Sequence, residues 1–174
     1  VNGTLTVNTA ALSVTANSAT KTYGQTTTFL GTAFTSIGLQ NSQTIGSVTL
    51  TSTGAVATAN VAGSPYAIVP SAASGGTFAP ANYTIAYVNG ALTVNPAALS
   101  VTANNAAKTY GQTATFLGTA FTSIGLQNSE TIGSVTLTST GAEATREAGG
   151  GPDAEAVGVS AVGTIHVVAS VGCI

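Results

Sequence analysis

The chain has 174 residues, a formal net charge of −2 and only 5% charged side chains, about a fifth of the share in an ordinary soluble protein. Three basic residues are too few for the patch that phosphate binding needs. The apolar runs are broken every two or three positions by Thr, Ser, Gly or Asn, well short of the roughly 18 apolar residues of a membrane-spanning helix.

Charge is also unevenly placed. Up to Ser129 the only charged side chains are Lys21 and Lys108, and the single His, Arg and Cys and all 5 acids fall between Glu130 and Ile174. Most of the chain therefore lacks acid–base, metal-ligand and redox chemistry. Because the sequence opens on Val1, it is expected to be a piece of a longer protein, so the lack of a signal peptide says nothing about secretion.

An internal repeat organises the rest. Val1-Asn2-Gly3-Thr4-Leu5-Thr6-Val7-Asn8 returns as Val88-Asn89-Gly90-Ala91-Leu92-Thr93-Val94-Asn95, an offset of 87 residues. Residues 1–55 and 88–142 differ at six positions, 4/91, 9/96, 18/105, 20/107, 27/114 and 43/130. The match ends abruptly after Thr145, where Arg146-Glu147-Ala148 replaces Ala59-Asn60-Val61. The expected organisation is residues 1–9 as the last strand of a preceding unit, 10–95 as a complete unit, 96–145 as an incomplete one and 146–174 as a divergent tail. That tail is either a genuine segment of different origin or a coding artefact such as a frameshift.

Period-two alternation predicts short strands over Leu12–Ala16, Thr28–Phe34, Ser47–Thr51 and Tyr66–Val69, with second-unit copies over Leu99–Ala103, Thr115–Phe121 and Ser134–Thr138. Leu126–Ile132 suggests one helical turn, capped by Asn128 or Ser129 and ended by Gly133. Tyr83–Val88 and Ala91–Val94 both alternate around Asn89-Gly90, a strong hairpin signal. In that register Tyr87 faces Leu92 and Ile85 faces Val94, so the apolar residues share one face. The alternative is one long strand with a bulge at Gly90. In the tail, 156–162 and 164–169 are β-prone runs around Gly163, expected to pack poorly, with 146–155 a loop.

Lys21-Thr22-Tyr23-Gly24-Gln25 and its copy at 108–112, Ser36-Ile37-Gly38-Leu39, Pro65-Tyr66-Ala67-Ile68 and the run Asn82-Tyr83-Thr84-Ile85-Ala86-Tyr87-Val88-Asn89-Gly90-Ala91-Leu92-Thr93-Val94 together resemble the MBG domain of the YGX type. Such domains occur in tandem in large bacterial surface and secreted proteins, including filamentous haemagglutinin-like adhesins. The resemblance covers one full unit and about two-thirds of a second, roughly residues 1–145. It implies a mostly β fold, tandem small β-sandwich-like or β-grasp-like modules with at most one short helical turn per unit. It also implies an extracellular, secreted or cell-surface location, and adhesion or spacing rather than catalysis.

Candidate chemistry is sparse. His166 with Asp153 and a serine makes a nominal triad, but no nucleophile elbow is present and His166 lies in an alternating apolar run. Glu143, Glu147, Asp153 and Glu155 fit no Ca²⁺ loop spacing. Gly149-Gly150-Gly151 lacks the Lys and helix of a phosphate cradle. Cys173 is single, so no disulfide framework exists. A lysine isopeptide crosslink needs a nearby acid, and the first unit has none. No catalytic residue, metal site or cofactor is therefore expected. Tyr23 and Tyr110, each before a glycine, are the candidate ligand-binding residues if they are exposed for glycan stacking; the alternative is a core tyrosine beside a chain-turning glycine. Asn2-Gly3-Thr4 and Asn82-Tyr83-Thr84 fit the glycosylation sequon, at positions read as strand or turn. The expected role is a non-catalytic stalk or spacer segment of a bacterial adhesin, or alternatively a weak multivalent glycan- or mucin-binding module. Its expected partners are neighbouring repeat units in the parent chain and possible host or matrix glycans or proteins.

Overall fold

Strand β1 (Ala10–Ala16) shows the period-two pattern directly. Leu12, Val14 and Ala16 are buried, alternating with half-buried Ser13 and Thr15, as a branched-residue strand inside a sheet demands. The computed structural model describes residues 2–144. They fall into two units, within Val1–Pro96 and Ala97–Ile174.

The first unit continues with β2 (Ala19–Thr22), β3 (Phe34–Ile37), β4 (Ile45–Thr51), β5 (Tyr66–Gly76), β6 (Tyr83–Val88) and β7 (Gly90–Asn95). One sheet has the order β3-β1-β6 and the other β2-β7-β5-β4. Leu12 and Val14 from the first sheet bury against Val48 and Ala73 from the second, with Phe78 and Tyr83. Ala16, Ile68 and Leu92 form an adjoining cluster. The core thus lies between two sheets, and of the two expected architectures the sandwich-like one fits. The fold is mostly β, as the sequence indicates. Its helical residues are single 3-10 turns at Thr53–Ala55, Val61–Gly63 and Pro80–Asn82, three in this unit where the sequence suggests at most one.

The hairpin expected at Asn89-Gly90 does not form. β6 pairs in parallel with β1 from Ala10↔Tyr83 to Thr15↔Val88, and β7 pairs in parallel with β2 from Ala19↔Leu92 to Thr22↔Asn95. Both ladders carry the same offset of 73 residues. Between them the Ser18 hydroxyl accepts the Ala91 N–H at 3.1 Å and holds that offset through the bend. Two chain segments therefore leave one sheet and enter the other side by side. Gly90 is absent from the glycines with positive φ. It is required instead by close approach, since a Cβ there would lie 2.6 Å from the Ala16 carbonyl oxygen. The apolar pattern fixes which face is buried, but the same pattern serves pairing with β1 and β2 as well as self-pairing. The long-strand alternative is closer, except that the chain changes sheets at the glycine.

Three further expectations are corrected. Residues 28–33 form no strand; Leu30–Ala33 turns, with Ala33 N–H on Leu30 O at 2.9 Å, and pairing starts at Phe34. The helical turn over Leu126–Ile132 is instead a reverse turn. Asn128 and Ser129 have φ of 50° and 60° and Glu130 N–H reaches Gln127 O at 2.9 Å, the signature of type I′. Ser134–Thr138 forms no strand in the second unit, although its copy lies in β4. β4 pairs only with β5, and no sequence matching β5 follows in the second unit.

The second unit has β8 (Ser100–Ala103) and β9 (Phe121–Ile124), antiparallel from Ser100↔Ile124 to Ala103↔Phe121. This repeats the β1–β3 register, Ser13↔Ile37 to Ala16↔Phe34. Among the described residues of this unit none is buried. The expected loop over 146–155 and the β-prone runs over 156–169 lie outside the described residues.

Candidate functional site

The Lys-Thr-Tyr-Gly-Gln segment recurs in both units and is where a repeated site would be sought. β2 delivers its first two residues. Tyr23 N–H then bonds to Asn95 O at 2.8 Å, and Gln25 N–H to Thr22 O at 3.1 Å, closing a turn over Tyr23-Gly24. Gly24 has φ of 88°, the conformation that the third position of a type II turn requires. The Gln25 side chain accepts from Thr22 N–H at 3.2 Å. Gly24 N–H bonds Ala57 O at 3.1 Å and Thr27 N–H bonds Ala55 O at 2.9 Å, so the turn is strapped to residues 55–57.

Lys21 completes the strap. It is 5% exposed, and its ammonium donates to Gln25 O at 2.9 Å and to Val56 O. Burial lowers its pKa from the ordinary lysine value, because a desolvated ammonium loses its charge more readily. Its partners are two carbonyl oxygens and no carboxylate, since the first acid in the sequence is Glu130. The arrangement ties two loops together.

The second unit repeats the tie from local sequence. Lys108 donates to Gln112 O at 3.1 Å and to Glu143 O. Gly111 has φ of 81°, and Ala114 N–H bonds Ala142 O at 2.8 Å. What differs is the flank. Ala106–Thr109 and Gln112–Phe116 line an open groove of about 480 Å³, whereas the matching residues Ala19–Thr22 are paired with β7 in the first unit.

The two candidate ligand-binding tyrosines fall in different surroundings. Tyr23 is half-buried and Tyr110 is 61% exposed. The other motif tyrosines serve the fold. Tyr66 donates to Asn60 O at 2.9 Å, and its ring lies so close over Gly54 that a Cβ there would sit 2.5 Å from it. The Tyr83 hydroxyl accepts from Gln40 N–H at 2.9 Å and donates to the Gln43 side chain. The Tyr87 hydroxyl accepts from Ala73 N–H at 2.9 Å.

Sequence reasoning did not foresee the burial of Lys21. The available signal was a cation held at a fixed repeat position in a chain almost free of charge. Glu143 is exposed; His166, Asp153, Glu147, Glu155, Cys173 and the glycine run 149–151 lie outside the described residues. Among the described residues there is no group of three His, Cys, Asp or Glu that could hold a metal ion, and no helix is long and apolar enough to cross a membrane.

No curated protein and no solved structure matches the chain. The family model of the MBG domain (YGX type) matches residues 12–93, from the middle of β1 into β7, and therefore spans both sheets and the contacts of Tyr66, Tyr83 and Tyr87. Over residues 12–93 the chain is similar to the MBG domains of the YGX type.

Proposed function

We propose that the chain is a stalk or spacer segment of a bacterial extracellular adhesin, without catalytic activity. The observation that carries this reading is how the motif residues are used. Lys21, Tyr66, Tyr83 and Tyr87 each donate to or accept from the chain's own backbone. Residues that hold the module together, in a chain whose residues 1–55 return almost unchanged at 88–142, suit an array whose length is its function. MBG domains occur in extracellular bacterial surface proteins, which supports a secreted or surface location and neighbouring repeat units as the immediate partners.

The exposure of Tyr110 supports a second reading, a weak glycan- or mucin-binding module in which Tyr23 and Tyr110 present stacking faces and repetition supplies avidity. One experiment separates the two. Chains of one and three complete units are compared for mucin and glycan binding and for end-to-end length by small-angle scattering. The spacer reading expects length to grow with unit number and binding to stay absent. Affinity that rises steeply with unit number, and falls on Tyr23→Ala and its equivalents, would overturn it.

A further inference from the structure

In the first unit the chain enters β1 through Thr9 and leaves β7 through Pro96, and the entering and leaving runs lie side by side. β1 pairs with β6 over six residue pairs and β2 with β7 over four, all parallel and at one offset. Each sheet holds one of the two ladders, so residues 10–22 and 83–95 travel together through both. Further bonds lengthen the ladders at the places where the chain enters and leaves. The Thr9 and Thr84 hydroxyls bond at 2.8 Å, and Tyr23 N–H reaches Asn95 O at 2.8 Å.

We propose that this unit is a load-bearing clamp, built so that tension along the chain meets its two parallel ladders as shear. A pull on Thr9 draws β1 toward its N-terminal end. A pull on Pro96 draws β7 toward its C-terminal end. In parallel strands these directions are opposite along a shared axis, while the backbone bonds run between the strands. The residue pairs are therefore loaded together, and no pair opens ahead of the others. Had β6 and β7 formed a hairpin, β7 would pair with the strand that leads into it, and a pull on Asn95 would peel that pair from its end. The clamp goes beyond the spacer reading, which supplies the pull: the unit keeps its length under tension.

Side chains oppose sliding as well. Leu12 and Val14 on one run and Leu92 and Val94 on the other are buried, and a slip of one residue would turn the moving pair to the opposite face. Gly90 lies so close to β1 that a Cβ there would sit 2.6 Å from Ala16 O. Tension on β7 draws Asn89 toward that place, and Asn89 carries a Cβ. The Ser18 hydroxyl, accepting Ala91 N–H at 3.1 Å, ties the two runs at the same point. The clamp thus combines a backbone ladder in each sheet with a steric stop at the crossing between them.

Single-molecule force spectroscopy on the 174-residue chain, in a Cys173→Ser background, tests the clamp by changing only the direction of pull. Handles on Asn8→Cys and Ala98→Cys load the ladders in shear. Handles on Asn8→Cys and Asn82→Cys pull on adjacent ends of β1 and β6 and unzip them from Ala10↔Tyr83 onward. Asn8, Asn82 and Ala98 are all exposed, so the substitutions leave the core intact. The same folded unit is broken in both cases, and forced unfolding reports the barrier along the direction of pull rather than equilibrium stability. At one loading rate the shear pair should unfold at about twice the force of the unzipping pair or more. Equal forces, or a lower force in shear, would overturn the clamp. The clamp and the spacer reading fail separately. Chains whose length still grows with unit number while shear and unzipping forces are equal would lose the clamp alone. Mucin binding that rises with unit number beside a shear-resistant unit would lose the spacer reading alone.

Discussion

The Tyr87 hydroxyl accepts the Ala73 N–H at 2.9 Å, joining β6 of one sheet to an irregular point in β5 of the other. β5 pairs Ser74 with Ser47 and then Ser71 with Thr49, so it carries one residue more than β4 over this stretch. That is a β-bulge, with Ala72 at φ of 48°. The bulge shifts the alternation so that Ile68 and Pro70 on one side and Ala73 on the other all face inward, and Tyr87 takes up an N–H that the ladder does not. Tyr87→Phe keeps the ring and removes only the acceptor. It should destabilise the first unit by about 1–3 kcal/mol, the cost of an unsatisfied buried amide, measured by chemical denaturation, with faster exchange at the Ala73 amide. Unchanged stability would mean that water replaces the hydroxyl.

At the sheet crossing, Gly90→Ala should cost about 1–3 kcal/mol. The new methyl would lie 2.6 Å from Ala16 O and 2.9 Å from Asn17 O, both backbone atoms that move only with β1. A hairpin at this position would give a different result, because alanine would then be penalised through positive φ and Asn or Asp would be tolerated. Gly90→Asn as harmful as Gly90→Ala supports the crossing; rescue by Asn would contradict it.

The buried Lys21 makes stability depend on alkaline pH. Its folded pKa is lowered by burial, while the unfolded value stays near the ordinary lysine value of about 10.4. Below the folded pKa both states hold the proton and the cost of burying the ammonium is constant. Between the two values the unfolded chain keeps a proton that the folded chain has released, so stability rises with pH across that window. Lys21→Met should remove this rise. Denaturation midpoints measured from pH 7 upward for both proteins provide the test. Parallel pH profiles would show that Lys21 stays charged in the fold.

Legibility in the sequence followed the kind of interaction involved. The mostly β class and the burial of Leu12, Val14, Leu92 and Val94 were readable, because period-two alternation reports directly on which face meets the core. Partner choice was not. Val88-Asn89-Gly90 reads as a turn by local chemistry, yet its outcome is set by β1 and β2, some 73 residues earlier in register. The near-identical segment at residues 1–8 shows the same limit, since Leu5 is 92% exposed where Leu92 is fully buried. At the motif site, the glycine turn at Gly24 was readable from residue type. The burial of Lys21 was not, because its two carbonyl acceptors come from the backbone, where residue identity leaves no trace.

The two units should differ in protection even where their sequences agree. β1 has a strand on each side, β3 and β6, whereas its copy β8 pairs with β9 alone among the described residues. Leu12 and Val14 are buried, while their copies Leu99 and Val101 are exposed and half-buried. Each core residue that stays wet forgoes about 1.5–3 kcal/mol of burial, so the second unit opens locally at a lower free energy. Amide exchange on the dilute chain should therefore be slow over residues 10–95 and faster over 98–144. Equal protection would mean that something supplies the missing partner strands, and deletion of residues 145–174 would identify it. Loss of protection over 98–144 on that deletion would assign the role to the tail. Protection that survives the deletion but falls with dilution would assign it to a second copy of the chain.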